Sequence, residues 1–259
     1  MNLAHDPIFR PLPPDAPPAR VASTGSLPRE EEVRAILQEG FDCYRYVDEG
    51  EVASYIPSLA SADPSWFGAC IAGADGSLVE VGEAHHPFSV QSVSKVFVFA
   101  LVCEALGPAV ARERLGANGT GLAFNSVMAV ELSESRTANP MVNAGALATT
   151  SLVPGDTAED KWAAIVACLS AFAGRPLVVD DEVYGSETAN NQRNHGIAHL
   201  LAGYERLYFD PAATTDIYTR QCSLLVTAHD LAVMGATLAD GGVNPMTGER
   251  VVAASTCRH

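Results

Sequence analysis

The pattern of apolar and polar positions predicts a helix that begins just after position 28. Pro28 suits a first helical turn, and the three glutamates at 30–32 suit the positive end of a helix dipole. Apolar residues then recur at helical spacing, at Val33, Ile36, Leu37, Phe41 and Tyr44. We expect these five side chains to form one apolar stripe.

A β-hairpin is predicted next. Residues 66–71 and 78–81 are rich in apolar, strand-forming residues, and Asp75-Gly76 lies between them. An Asp-Gly pair between two such runs is a strong signal for a tight turn. The two strands are therefore expected to pair with each other.

From Ser92 onward the pattern is mostly helical. Residues 93–106 are apolar almost all round, which is typical of a buried helix, and Gly107-Pro108 is expected to end it. Further helices are predicted at about 161–173, 194–202 and 227–238. The chain thus divides into a sheet-containing part, 29–90, and a mostly helical part, 91–259. Residues 1–28 contain seven prolines and predict a flexible, proline-rich arm.

Composition narrows the range of functions. With 47% hydrophobic residues, the chain can bury a sizeable core, and its net charge of −15 disfavours nucleic acid and anionic membranes as partners. The six cysteines are scattered without a C-x-x-C pair, which indicates reduced thiols. With no signal-peptide pattern at the N-terminus, the sequence predicts a cytoplasmic protein.

The segment Gln91-Ser92-Val93-Ser94-Lys95 carries the strongest chemical signal. Ser92 and Lys95 are three positions apart at the start of a predicted helix, so their side chains share one face. A serine hydroxyl becomes nucleophilic when a base removes its proton, and a lysine can be that base when burial lowers its pKa. The apolar run that follows Lys95 provides such surroundings.

Ser-x-x-Lys is also typical of penicillin-recognising enzymes, but their Ser-Asp-Asn and Lys-Thr-Gly companions are absent. His195 and His199 are four apart without the glutamate of a zinc-protease motif. The glycine turn at 118–121 is not followed by Gly-Lys-Ser/Thr. We therefore predict no metal, no nucleotide and no other cofactor.

Six ordered segments resemble the serine-dependent glutaminase family. The resemblance covers the chain except for the proline-rich arm, so we expect residues 29–259 to form one domain of this family. The matching segments are Ser54-Tyr55-Ile56-Pro57-Ser58-Leu59-Ala60, Gln91-Ser92-Val93-Ser94-Lys95, Asn139-Pro140-Met141-Val142-Asn143-Ala144-Gly145-Ala146, Ser186-Glu187 with Arg193-Asn194, Tyr218-Thr219-Arg220-Gln221-Cys222-Ser223, and Asn244-Pro245-Met246-Thr247-Gly248-Glu249-Arg250.

The resemblance implies a β-lactamase-like (DD-peptidase-like) fold of the α+β or α/β class, with an antiparallel sheet, flanking helices and a mostly helical subdomain. It implies that L-glutamine is hydrolysed to glutamate and ammonia, with Ser92 as nucleophile, Lys95 as base and Tyr55 as a proton relay. Whether Lys95 or a tyrosine is the immediate base stays open. The residues implied to hold the substrate, together with Ser92, are Asn143, Glu187, Asn194 and Tyr218. A homodimer or homotetramer is implied as well.

Family members continue for several dozen residues beyond the position that corresponds to 259. The segment implied there supplies sheet strands and one oxyanion-hole N–H group, whose loss costs about 10²–10³ in rate. We therefore expect weak or no activity, and a tendency to associate, from the chain as written. Two alternatives stay open: a β-lactam hydrolase or peptidase of the same fold, and a non-catalytic remnant that binds glutamine.

Overall fold

A computed structural model describes residues 28–259, so the predicted proline-rich arm, apart from Pro28, lies outside the described residues. The strands are β1 (Gly68–Ala72), β2 (Leu78–Gly82), β3 (Phe88–Ser89) and β4 (Leu225–Val226). The helices are α1 (Glu30–Tyr44), α2 (Ser94–Leu106), α3 (Pro108–Leu115), α4 (Met128–Glu131), α5 (Asn143–Leu152), α6 (Ala158–Ala173), α7 (Asp181–Thr188), α8 (Gln192–Gly203), α9 (Pro211–Cys222) and α10 (Ala228–Ala239).

The predicted hairpin is confirmed. Strands β1 and β2 pair antiparallel with Cys70 opposite Glu80, and Gly76 adopts a φ of +87° in the turn. Glycine reaches this region at little steric cost, which is why the turn forms there. Helices α1 and α10 both pack on the hairpin. A second two-stranded antiparallel sheet joins β3 to β4, which precedes α10.

Only part of the apolar stripe on α1 is buried. Phe41 is buried and stacks on Phe67, with ring centroids 5.2 Å apart. Ile36 and Tyr44, however, are 71% and 66% exposed. Periodicity identified the helix correctly, but of the five residues in the stripe only Phe41 is buried.

Helix α5 lies at the centre of the helical part. All ten of its residues are buried, and it contacts α2, α8 and α9. Gly145 permits a close approach there, because a Cβ at this position would lie 1.9 Å from the carbonyl oxygen of Asn139. The glycine thus lets the 139–142 loop pass directly over the first turn of α5, next to Lys95.

Helix α10 is fixed at its N-terminal end. Thr227 and Asp230 form a reciprocal capping box, and Arg175 donates two hydrogen bonds to the buried Asp230, at 2.8 and 2.6 Å. Capping and bidentate pairing both favour one orientation of the helix. The first turn of α10 is therefore attached to the segment that carries Arg175.

No single helix within residues 28–259 has both the length and the hydropathy to cross a membrane. One pair, Gln91–Leu106 with Pro108–Leu115, passes that test jointly but is bent by 119°.

Candidate active site

Ser92 lies on a 3-10 turn, Gln91–Val93, that leads directly into α2. Gln91 adopts a φ of +47°, a left-handed conformation that costs a non-glycine residue about 1–3 kcal/mol. Ser92 is exposed. The turn therefore places an accessible serine at the start of a helix, where the first backbone N–H groups lack an intrahelical acceptor.

Lys95 is buried one turn further along, with 3% of its surface exposed. Its Nζ donates hydrogen bonds to the carbonyl oxygen of Met141 at 3.2 Å and to Oδ1 of Asn143 at 2.9 Å. The ring of Phe124 lies 5.8 Å from the amine. Burial lowers the pKa of Lys95, and the influence of Cys222 opposes that shift only in part. Lys95 is thus shifted toward the neutral form that a base requires.

Asn143 extends this network across the centre of the helical part. It is the first residue of α5, and its Nδ2 donates to Oδ1 of Asn194 at 3.0 Å. Asn194 is buried on α8. Both amides are therefore oriented by their neighbours.

Glu187 is a buried acid on α7. Its Oε2 is enclosed and has no hydrogen-bond partner among residues 28–259. Burial raises its pKa from 4.5 to about 7, although a hydrogen bond with Gln91 acts in the opposite direction. A carboxylate with a free, buried oxygen is well suited to pair with a cationic group.

Tyr218 connects these groups to Ser92. It is 2% exposed on α9 and forms hydrogen bonds with Ser92 and Cys222. Burial raises its pKa well above 10, and Cys222 adds to the shift. The phenol consequently stays protonated near neutral pH and acts as a hydrogen-bond donor rather than as a phenolate.

Tyr55 lies in the segment just before a 3-10 turn, Pro57–Ser61, that packs on α7. Its side chain is 67% exposed, yet partial burial and the influence of Glu187 and Cys222 raise its pKa. The backbone N–H of Ser58 donates to Oγ of Ser186 at 3.2 Å, which ties this segment to α7. Tyr55 thus lies within electrostatic reach of Glu187.

All seven predicted site residues fall into two connected groups. Hydrogen bonds join Lys95, Asn143 and Asn194, whereas Ser92, Tyr218, Glu187 and Tyr55 are joined by hydrogen bonding or electrostatic influence. The two groups meet at Cys222, because Glu187 raises the pKa of this thiol and Lys95 lowers it.

Four further residues support the site, although the sequence alone indicated no role for them: Gln91, Ser94, Gln221 and Cys222. Oγ of Ser94 donates to the carbonyl oxygen of Gln91 at 2.7 Å and accepts from Nε2 of Gln221 at 2.9 Å, which stabilises the Ser92 turn. Cys222 is fully enclosed, and burial raises its pKa to about 12, so it stays a thiol. The matched segments contained these residues, but only the packing of α9 beside the turn shows what they contact.

Known proteins resemble this chain closely. The family model described as Glutaminase matches residues 50–259. Glutaminase 2 of Yersinia pestis is 52% identical over 237 residues, which cover 92% of this chain and 70% of that protein. A solved structure titled Probable glutaminase ybaS superposes with a TM-score of 0.87 at 38% identity, covering 89% of this chain and 74% of that one. Mglu in its glutamate form superposes with a TM-score of 0.80 at 39% identity, covering 88% of this chain and 52% of that chain.

These structures and the arrangement around Ser92 define the class: a hydrolase of β-lactamase-like fold, as the sequence predicted. Within that class, the chain belongs to the glutaminase family.

Proposed function

We propose that this chain hydrolyses the side-chain amide of L-glutamine, giving L-glutamate and ammonia through an ester on Ser92. The observation that carries the proposal is the carboxylate of Glu187, which has a buried oxygen without a hydrogen-bond partner among the described residues. This carboxylate lies within electrostatic reach of Tyr218, which is hydrogen-bonded to Ser92. Membership of the glutaminase family and the glutamate-bound state of Mglu support it.

The substrate's charges match the groups available. The α-ammonium of glutamine would pair with Glu187, which gives the buried carboxylate the cation it lacks among the described residues. Asn143, Asn194 and Tyr218 offer neutral donors and acceptors for the α-carboxylate and the side-chain amide. Such polar groups disfavour analogues that leave them unpaired.

Lys95 is the better candidate for the base. A neutral amine has two N–H bonds and one lone pair, and Lys95 already donates two hydrogen bonds, to Met141 and Asn143. Its lone pair is then free to accept the proton of Ser92. Tyr218, with its strongly raised pKa, instead stays protonated and orients the Ser92 hydroxyl by accepting its hydrogen bond.

The reaction then proceeds by acyl transfer. Oγ of Ser92 attacks the amide carbon while its proton passes to Lys95, and the backbone N–H of Ser92 stabilises the oxyanion. The C–N bond breaks as Lys95 returns the proton to the leaving nitrogen, and ammonia departs. Water then cleaves the γ-glutamyl ester, with glutamate as product and Ser92 restored.

The direct test compares ammonia release from glutamine and asparagine. Asparagine is shorter by one methylene, so its amide cannot reach Ser92 while its ammonium is held by Glu187. We expect release from glutamine at a rate well above that from asparagine. Acylation of Ser92 by a chromogenic β-lactam would instead favour a β-lactam hydrolase, and glutamine binding without ammonia release would indicate a non-catalytic role.

Glu187→Gln is expected to lower kcat/KM for glutamine by about 10²-fold, because a hydrogen bond to a charged partner contributes about 1.5–3 kcal/mol. In the unmodified chain kcat/KM is expected to rise with pH through about 7, as the pKa of Glu187 is passed and the carboxylate forms. That rise should be absent in Glu187→Gln. Initial rates between pH 5 and 9 measure both effects.

Glu187→Gln also tests how Glu187 affects the stability of the fold, independently of substrate binding. Since the folded-state pKa of Glu187 is about 7 and the ordinary value is 4.5, the folded chain retains a proton that the unfolded chain loses between these pH values. Stability therefore falls as pH rises across that window, by about 3 kcal/mol in total. Glu187→Gln is expected to lack this fall. Glu182→Gln, an exposed acid on the same helix, is the control and should retain it.

We further propose that the chain acts in the cytoplasm as a homodimer or homotetramer. Its six cysteines are all free thiols, which fits a reducing compartment, and the family resemblance supports the assembly.

A further inference from the structure

A second cluster of reactive side chains lies between the hairpin and α10. Cys70 on β1 and Glu80 on β2 are direct cross-strand partners, so their side chains point to the same face of the hairpin. His229 is the second residue of α10, and its backbone N–H donates to the carbonyl oxygen of Ala84 at 3.1 Å. His85 follows β2 and completes the group. These segments contribute none of the residues assigned to the Ser92 site.

The side chains of Cys70, His85 and His229 converge on the carboxylate of Glu80. Nδ1 of His229 lies 2.6 Å from Oε1 of Glu80, and Nε2 of His85 lies 3.1 Å from Oε2. Sγ of Cys70 is 3.7 Å from Oε1 of Glu80. One ligand atom each from Cys70, Glu80 and His229 lie within 4.8 Å of one another. The ring centroids of His85 and His229 are 5.0 Å apart.

This donor set is the one that zinc prefers. Tetrahedral Zn²⁺ binds thiolate at about 2.3 Å and imidazole or carboxylate at about 2.0–2.2 Å, which places neighbouring ligand atoms about 3.3–3.8 Å apart. The observed separation of 3.7 Å lies within that range and those of 2.6 and 3.1 Å lie below it, so small rotations about side-chain bonds would move these atoms apart enough to admit the ion. Thiolate together with imidazole selects Zn²⁺ and related transition metals over Mg²⁺ or Ca²⁺.

We propose that Cys70, Glu80 and His229 bind one zinc-class divalent ion, with His85 turning to supply the fourth ligand. On binding, the thiol of Cys70 releases its proton to solvent, and the ion replaces the hydrogen bonds that now join the histidines to Glu80. Because the ligands come from β1, β2 and α10, the ion ties three segments together. Its role is therefore to stabilise this side of the fold rather than to take part in hydrolysis.

Co²⁺ provides the first test, because a cobalt–thiolate bond gives a charge-transfer absorption band. Untagged chain freed of metal with a chelator is titrated with Co²⁺, and we expect the band to saturate at one equivalent. Cys70→Ser is expected to abolish it, whereas Cys43→Ser, which removes an exposed cysteine on α1, is expected to preserve it. Absence of the band, or its persistence in Cys70→Ser, would overturn the proposal.

Thermal unfolding with Zn²⁺ provides a second measurement that does not depend on the thiol chromophore. At about 100 times Kd, the ion is expected to raise Tm by about 5–10 °C. His229→Ala is expected to lose this shift, and His199→Ala, an exposed histidine on α8, to keep it. An equal shift in both variants would show that Zn²⁺ binds elsewhere and that the cluster is not the site.

Discussion

Ser92→Ala is expected to reduce ammonia release from glutamine by about 10⁴- to 10⁶-fold, the range typical of removing a serine nucleophile that acts with a base. Ser92 is exposed on the turn before α2, while its hydrogen-bond partner Tyr218 is held in the core. Removing the hydroxyl leaves the binding groups in place. Glutamine binding, measured by calorimetry, is therefore expected to change little while turnover is lost.

A matched serine tests the specificity of that effect. Ser65 is exposed, and its hydroxyl bonds only locally to Asp63 at 2.7 Å among the contacts described for it. Ser65→Ala is expected to retain full turnover. If Ser92→Ala released ammonia at an unchanged rate, the assignment of the nucleophile would be wrong.

Lys95→Met is expected to lower kcat by about 10²- to 10⁴-fold, the usual contribution of a general base. Methionine fills a similar space, so the loss reports on the amine rather than on packing. Because burial lowers the pKa of Lys95, the activity of the unmodified chain gains a rising limb with pH as the neutral amine forms. That limb is expected to be absent from the kcat profile of the variant.

Lys161 is the matched control, since it is also a buried lysine whose pKa burial lowers. Its amine donates to the carbonyl oxygens of Ser151 and Val153, at 3.1 and 2.6 Å, and contacts the ring of Phe209. Lys161→Met is expected to lose about 1–3 kcal/mol of stability, because two buried carbonyls lose a donor. Its kcat should be unchanged. Equal losses of kcat in both variants would contradict a special role for Lys95.

Local sequence signals were sufficient for part of the fold. The Asp75-Gly76 turn and the apolar run after Lys95 each predicted an element that the structure contains. Helix α9 was harder to predict, because Thr214, Thr215 and Gln221 are polar residues and yet are buried. Helix α5 was missed for a related reason. It is rich in small residues and buried on every side, so it has no apolar face for periodicity to detect.

The site residues likewise divide into those that local sequence signals identified and those that they did not. Ser92 and Lys95 share one local segment, so their spacing together with the apolar run after Lys95 indicated cooperation. Asn143, Glu187 and Tyr218 lie on three different helices, and only their ordered resemblance to a family related them to Ser92. The left-handed backbone at Gln91 had no sequence signal, because it depends on Ser94 and Gln221 packing beneath the turn.

The complete burial of α5 has a consequence for how glutamine would bind. Asn143 opens a helix whose ten residues are all enclosed, and its amide is already bonded to Lys95 and Asn194. Ordering a side chain of this kind costs about 0.5–1.5 kcal/mol when it occurs at the moment of association. Here that entropy is lost during folding instead. The central amides of the site are thus preorganised, and more of each contact's free energy remains available to hold the substrate.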